Sequence, residues 1–474
     1  MTAATTTVHR TVSSRRTHRD LCDVFRRNRK PIYFINPSAF NLLGAEEWVG
    51  NLTHVNARDS FDGRHPNAVV FGRDRPPGLD LTAFTNFLLR DPAAADFFRR
   101  RGSSGTALFL MFDEETERLA RGHGLDICLP LASLRHRLDS KLVATRLAAR
   151  AGVATVPHAL SRIDSYESLR GAARHLGTDL VVQLPHGDSG TTTFFISTAE
   201  DFRRHESQIT ATPEVKIMRR IRCQPATLEA CVTRHGTLVG PLLTELTDCP
   251  DLTPYRGGWC GNELAWGAFP PPVRREARRA ALALGAALGR EGYRGYFGID
   301  FLLDRDSSAL YFGELNPRLT GATPLTSQAA LDRGLPPLVL YHLAEWLGID
   351  WSGDVDEFND AWLAPDRAGW GQLILDHIGS SPAVVTAVPP SGIWRLDADG
   401  DVSFVRPAWS HRAVADESEA LFVRTTDAGA VIEPGCCCGR LATRGRVLTK
   451  DGRLNPRANA WVRGLWKLFA TVPM

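Results

Sequence analysis

Three oxygen-bearing side chains, Asp300, Glu314 and Asn316, fall within residues 295–321, GYFGIDFLLDRDSSALYFGELNPRLTG. Ile299, Phe301 and Leu303 alternate with Gly298, Asp300 and Leu302, the period of two that marks a strand. The same period puts Leu310, Phe312, Glu314 and Asn316 on one face of the following run. Asp306 and Ser307 supply turn chemistry between the runs, so a hairpin brings the acid of one strand beside the Glu-x-Asn of the next. Two carboxylates and an amide carbonyl are hard oxygen donors, which suit Mg²⁺ shared with phosphates rather than Zn²⁺. No His or Cys joins the cluster. The competing reading is a hairpin whose polar residues simply face water.

Other residues suit phosphate as well. The segment HGDSGTTTFF, residues 186–195, follows the apolar run Leu180–Leu184, in which Gln183 is the one polar residue. A loop rich in glycine and hydroxyls can wrap phosphates with backbone N–H groups, and Gly187 and Gly190 permit close approach. Of 56 lysines and arginines only Lys30, Lys141, Lys216, Lys450 and Lys467 are lysine. Lysine is a compact point charge where arginine is a planar fork, so each surviving lysine invites the question of its role.

The elements that would carry these residues form an alternating pattern. Residues 31–36, 68–71 and 107–112 predict strands, 114–121 a helix and 126–130 an extended return, so residues 26–130 predict a small parallel α/β domain. No G-x-G-x-x-G follows its first strand, which argues against a dinucleotide site there. Asp139 predicts a helix cap, with Val143, Leu147 and Ala151 along the helix and Lys141 in its first turn. Residues 216–221 predict a strand, with 226–232 as its neighbour. A helix after Pro270–Pro272 turns Ala277, Ala281, Leu284 and Leu288 inward. The Arg-rich remainder of that helix predicts a solvated face. Beyond residue 350 a hairpin, 393–396 with 402–405, and a final helix bearing Trp461, Leu465, Leu468 and Phe469 predict a third domain over 351–474.

At 474 residues the chain exceeds one ordinary core. Its net charge of +3 gives no argument for nucleic acid, and no apolar run reaches the roughly 20 residues that span a bilayer. Residues 1–25 predict a disordered tail. The scattered cysteines predict reduced thiols in the cytoplasm. Cys436, Cys437 and Cys438 have no second cluster at zinc spacing.

Taken in order, DSKLVATRLAARAGVATVP, VVQLPHGDSGTTTFF, KIMRRI, TLEACV, GIDFLLD and GELNPRLTG, over residues 139–321, resemble the ATP-grasp superfamily. The resemblance implies an ATP-grasp fold, two α+β subdomains clamping ATP, over residues 131–350, with the N-terminal α/β domain as the usual pre-ATP-grasp domain and a small C-terminal domain after it. It further implies ATP and two Mg²⁺ ions as cofactors. Asp300, Glu314 and Asn316 would be metal ligands, and Arg318 would face the transferred phosphate. Lys141 would contact phosphates, covered by a loop containing Gly187, Ser189, Gly190 and Thr191. Met218, Arg219, Arg220 and Ile221 would line adenine, and Glu229 would take the ribose. Most members have lysine where this chain has Gln183, which can hydrogen-bond phosphate but cannot neutralise it. Lys216 on a neighbouring strand, or an arginine, is the proposed replacement.

The VVQLPHGDSG and GGWCGNE loops, the pre-domain and the Trp-bearing C-terminal region are similar to those of the pheganomycin-type peptide ligases. In that family an unusual amino acid is activated through its carboxylate and joined to the amino terminus of a peptide during antibiotic biosynthesis. The partners implied are an amino-acid-like carboxylate donor and a peptide amine acceptor, with no nucleic acid or membrane and with a homodimer left open. Residues 254–266 occupy the position of a mobile substrate-covering loop, from which Arg256 and Trp259 could hold a carboxylate or an aromatic acyl group. A ligase of two free amino acids, a kinase on the same fold and an inactive nucleotide-binding module are the alternatives.

Overall fold

A computed structural model describes residues 18–72, 78–102, 104–187, 191–364 and 369–474. The N-terminal region forms a five-stranded sheet in the order Ala68–Val70, Leu52–Asn56, Ile32–Ile35, Gly105–Phe109, Leu125–Ile127, parallel throughout. The two strands Ile32–Ile35 and Gly105–Phe109 are entirely buried, as parallel strands covered on both faces must be. Residues 1–17 of the expected tail lie outside the described residues. Residues 18–25 are not a tail, because the helix His18–Arg26 buries Leu21 and Phe25 completely in the core shared with the helix Leu338–Leu347.

The next sheet has four antiparallel strands in the order His158–Ser161, Val215–Arg219, Leu180–Gln183, Thr193–Ile196. The strand Val215–Arg219 therefore pairs within this sheet. Its expected neighbour, the strand Cys223–Thr233, belongs to another sheet. That other sheet has ten strands and begins Leu310–Asn316, Gly295–Asp304, Cys223–Thr233, Gly236–Thr247, Trp259–Leu264. It runs on without a break through Trp370–Asp376, Cys437–Arg444, Glu419–Arg424, Gly392–Leu396 and Val402–Arg406. The stretch after residue 350 is thus joined to the preceding region by backbone hydrogen bonds between Trp259–Leu264 and Trp370–Asp376, rather than standing apart as a third domain.

Several local readings shift. Asp139 ends the helix Ala132–Asp139, and Ser140 is the N-cap of Lys141–Arg150. Lys141 still opens that helix, as expected. The helix Pro271–Arg290 buries Ala277, Ala281, Leu284 and Leu288. In the last helix, Pro456–Trp466, Trp461 and Leu465 are buried, while Leu468 and Phe469 lie beyond its end. Residues 259–264 are a sheet strand with Cys260, Asn262 and Glu263 buried, so that part of the supposed mobile loop belongs to the framework.

Candidate active site

A cleft of about 970 Å³ lies between the four-stranded sheet and the first strands of the ten-stranded one. The hairpin Gly295–Asp304 with Leu310–Asn316 forms part of its floor, and its register places Asp300 opposite Glu314 and Gly298 opposite Asn316. Strict alternation fails at one point. The register moves from Asp300 opposite Glu314 to Phe301 opposite Phe312, so Gly313 is the extra residue of a β-bulge. Leu310, Phe312 and Leu315 consequently share the core with Ile299, Phe301 and Leu303. Glu314 and Asn316 face the cleft instead, separated from the Leu310 and Phe312 face to which even spacing assigned them.

Asp300 is tightly held. Thr227 Oγ1 donates to its Oδ1 at 2.9 Å, and Asn316 Nδ2 donates to its Oδ2 at 2.9 Å. Burial and the facing Glu314 carboxylate raise the Asp300 pKa to about 6 against these hydrogen bonds. Lys141, only 3% exposed, lies 3.0 Å from Glu314 Oε1 and donates to Gly187 O at 2.7 Å. A metal cation would relieve the repulsion between the two carboxylates, and the donor set is entirely oxygen once Asn316 presents its carbonyl. The residues therefore fit Mg²⁺. Arg318 lines the same wall, with its Nε buried and unpartnered.

Lys216 lies opposite Gln183 in the neighbouring strand and is fully buried. Its Nζ donates to the carbonyl of Gly313, the bulge residue, at 3.3 Å. Burial lowers its pKa to about 8, with Glu314 raising it and Lys141 lowering it further. The lysine is not part of the cleft lining; it brings a positive charge up behind the Glu314 strand. Gln183 does line the cleft, and its Nε2 donates to Thr193 Oγ1 at 3.2 Å. Gly187 lines it too, at a φ of 139° where a Cβ would collide with Thr192. Ser189 and Gly190 lie outside the described residues. Thr191 is exposed, and Thr192 and Thr193 reach the cleft.

Met218, Arg219, Arg220 and Ile221 form one edge of the cleft with Val156, Val181, Phe195 and Leu302. Val156, Val181 and Met218 pack as an apolar cluster against Phe195, Ile221 and Leu302, giving a surface suited to a flat aromatic base. The guanidinium of Arg220 lies 5.2 Å from the Phe195 ring centre and that of Arg256 4.7 Å. Arg256 thus bridges the two sheets through Phe195. Trp259 is half-buried in the cleft wall, its ring so close to Gly321 that a Cβ there would meet it at 2.3 Å.

Glu229 does not fit the role implied for it. It is completely buried and absent from the cleft wall. Its carboxylate accepts from Tyr296 Oη at 2.6 Å, Thr320 Oγ1 at 2.6 Å and Thr323 Oγ1 at 2.7 Å. It fastens the strand Cys223–Thr233 to Tyr296 and to the segment after the strand Leu310–Asn316 and is not available to a ribose.

Among the cleft residues to which the sequence reading gave no role are Glu245, Asn262 and Arg440. Glu245 faces the repulsion of Asp300 and Glu314, and burial together with these neighbours pushes its carboxyl well above the usual range. No motif marks Glu245 or Arg440, and Asn262 falls within GGWCGNE without being singled out there.

No family model and no curated protein sequence matches the chain. Solved structures do. The biotin carboxylase of Campylobacter jejuni, in complex with an ATP analogue, superposes at a TM-score of 0.62 with 13% identity, covering 94% of this chain and 92% of that one. The biotin carboxylase domain of Hydrogenobacter thermophilus 2-oxoglutarate carboxylase, with MgADP, ADP and bicarbonate, gives 0.59 at 13% identity over 94% and 91%. The N5-carboxyaminoimidazole synthase of Aspergillus clavatus, with ADP and 5-aminoimidazole ribonucleotide, gives 0.57 at 10% identity over 92% and 99%. The chain therefore has the fold of these enzymes along nearly its whole length, the ATP-grasp arrangement that the ordered motifs implied.

Proposed function

We propose that this protein is an ATP- and magnesium-dependent ligase that activates a carboxylate as an acyl phosphate and joins it to an amine. The observation that carries this reading is the all-oxygen set of Asp300, Glu314 and Asn316, with Lys141 on Glu314, at one end of a cleft whose other edge is the apolar slot at Met218. The neighbours crystallised with ADP, ATP analogues or MgADP support the nucleotide and the metal.

Mg²⁺ bound there would neutralise charge on the β- and γ-phosphates and stabilise the leaving ADP. Lys141 and Arg318 hold the transferred phosphoryl group in line, so catalysis is positioning and electrostatics without a protein nucleophile. In the first step a carboxylate oxygen of the donor bonds to the γ-phosphorus as the bond to the β-phosphate oxygen breaks, releasing ADP. In the second, the amine nitrogen bonds to the acyl carbon as the carbon–oxygen bond to phosphate breaks. Two of the ammonium's three protons are lost to phosphate or solvent. The finer reading, a peptide ligase joining a nonproteinogenic amino acid to a peptide amino terminus in antibiotic biosynthesis, rests on the resemblance of the loops to the pheganomycin-type enzymes.

The test is incubation of the wild-type protein with Mg-ATP, hydroxylamine and a panel of amino acids. Acid-dependent ADP release with a hydroxamate product is the expected result. ADP without hydroxamate would refute acyl phosphate formation, and nucleotide binding with no turnover across the panel would favour the inactive module.

A further inference from the structure

Beyond the metal-ligand carboxylates the cleft continues along a polar wall to which neither the motifs nor the ligase reading gives a task. Glu245 stands opposite Asn262 in the adjacent strand, and Asn262 stands opposite Gln372 in the next. Arg440, one strand further, is opposite Ile374, two residues along from Gln372. Glu245, Asn262 and Arg440 line the cleft, as does Thr244.

Asn262 is 0% exposed, yet neither its Oδ1 nor its Nδ2 has a partner. Gln372, equally buried, donates to Gly321 O at 2.9 Å and leaves its Oε1 unpartnered. Thr244 Oγ1 and both Nε and Nη1 of Arg440 are also buried without partners. The Arg440 guanidinium lies 3.9 Å from the centre of the Phe40 ring, which fixes its plane. No ion pair joins Arg440 to the nearby Asp376 among the described residues, although Arg440 lowers the Asp376 pKa against the effect of burial. More than nine in ten buried polar groups are normally paired, and leaving one unpaired is costly. Four of these atoms, Asn262 Oδ1 and Nδ2 and Arg440 Nε and Nη1, share with Glu245 the sheet face that lines the cleft, and they form a ready set of donors and acceptors for a ligand's polar atoms.

We infer that Asn262 and Arg440 seat the amine substrate as a short peptide with a free C-terminal carboxylate: the carboxylate on Arg440, a main-chain amide on Asn262, and the amino end toward Glu245 and the reacting acyl group. This rests on the ligase reading and gives its acceptor a chemical class. The length follows from the sheet. Three strand spacings of about 4.8 Å separate the strand of Glu245 from that of Arg440, roughly 14 Å between backbones. Two long side chains reaching across that span leave a gap better filled by a dipeptide than by a single amino acid. The planar fork of arginine is also the side chain that binds a carboxylate through two parallel hydrogen bonds.

The test is a binding measurement, so it does not require turnover. Wild-type protein with Mg²⁺ and a non-hydrolysable ATP analogue is titrated, by ligand-observed NMR, with the twenty dipeptides that begin in alanine and then with their C-terminal carboxamides. The free acids are expected to bind at least about tenfold more tightly than the amides, since a desolvated charge pair is lost with the carboxylate. Arg440→Met should bring that ratio to about one, and Arg440→Lys should retain part of it. Thermal melting of each variant separates misfolding from lost recognition, and if Arg440→Met does not fold, the partial retention in Arg440→Lys carries the test. Equal binding of acids and amides by the wild type, binding of neither set, or a preference that survives in Arg440→Met would overturn the inference. Failure of the ligase reading would show separately, as absence of hydroxamate with wild-type protein.

Discussion

The two ends of the cleft are built on opposite terms. At the phosphate end the polar groups are largely engaged within the protein: Lys141 with Glu314 and Gly187, Asp300 with Thr227 and Asn316, Lys216 with Gly313. At the far end Asn262, Thr244, Gln372 and Arg440 retain buried atoms with no partner. The first arrangement is pre-organised around charges of both signs that a metal and phosphates can exchange into, which minimises rearrangement at the moment of reaction. The second leaves its hydrogen-bonding capacity for a ligand to use, which is how a site rejects molecules that lack the matching polar groups.

The sharpest way to break this contrast is Glu314→Ala. It removes a proposed metal ligand and strands Lys141, so ADP release should fall by about 10³ or more, measured with any acid that supports turnover in the wild type. Glu229 tests whether a buried carboxylate between the ends belongs to the site at all. Glu229→Ala would remove the acceptor for the buried hydroxyl protons of Tyr296, Thr320 and Thr323. It is expected to cost at least about 3 kcal/mol in urea unfolding. In Glu229→Gln, nucleotide affinity should be unchanged; a loss of ATP affinity there without a loss of stability would return Glu229 to the ribose.

Asp300 gives a pH-dependent version. Its pKa is raised to about 6, so it is protonated below that pH and must lose the proton to bind a cation. Apparent Mg²⁺ affinity should therefore fall by about tenfold per unit below pH 6, seen by calorimetry. In the metal-free protein the sign reverses for stability: because the folded pKa lies above the unfolded one, the contribution of this proton is present below about pH 4 and is lost as pH rises through 6. The smallest effect is expected at Lys216. It is charged below about pH 8 and loses its charge above it, so ATP affinity should decline, by up to about tenfold, as pH rises through 8. In Lys216→Met that affinity should be lower at neutral pH and should not change across the same window.

Much of the phosphate end was legible because its chemistry is packed into short local motifs. The acid and the Glu-x-Asn are joined by one hairpin, and Lys141 opens a helix with a clear apolar pattern. Their strand and helix assignments needed only alternation and spacing. The far end was silent for the converse reason. Glu245, Asn262, Gln372 and Arg440 come from four different strands, the last two beyond residue 350, so no short stretch of sequence holds them together. The sheet that assembles them ignores the boundary placed there, because changes in sequence texture do not report which strands exchange hydrogen bonds.

By itself the sequence determined the hairpin at 295–316, the helix that buries Ala277 and Leu284, the oxygen character of the set Asp300, Glu314 and Asn316, and that the N-terminal region is parallel α/β, though not its strand Leu52–Asn56. These follow from period, turn chemistry and side-chain type, all properties of contiguous residues. Only the tertiary structure decided that Gly313 bulges, so that Phe312 enters the core while Glu314 faces the cleft, that Lys216 caps the bulge carbonyl, and that Glu229 is fastened by three hydroxyls away from any nucleotide. A bulge changes the count of residues on one strand relative to its partner, and a buried carboxylate is defined by who surrounds it. Both are relations between distant segments that come into being only when the chain has folded.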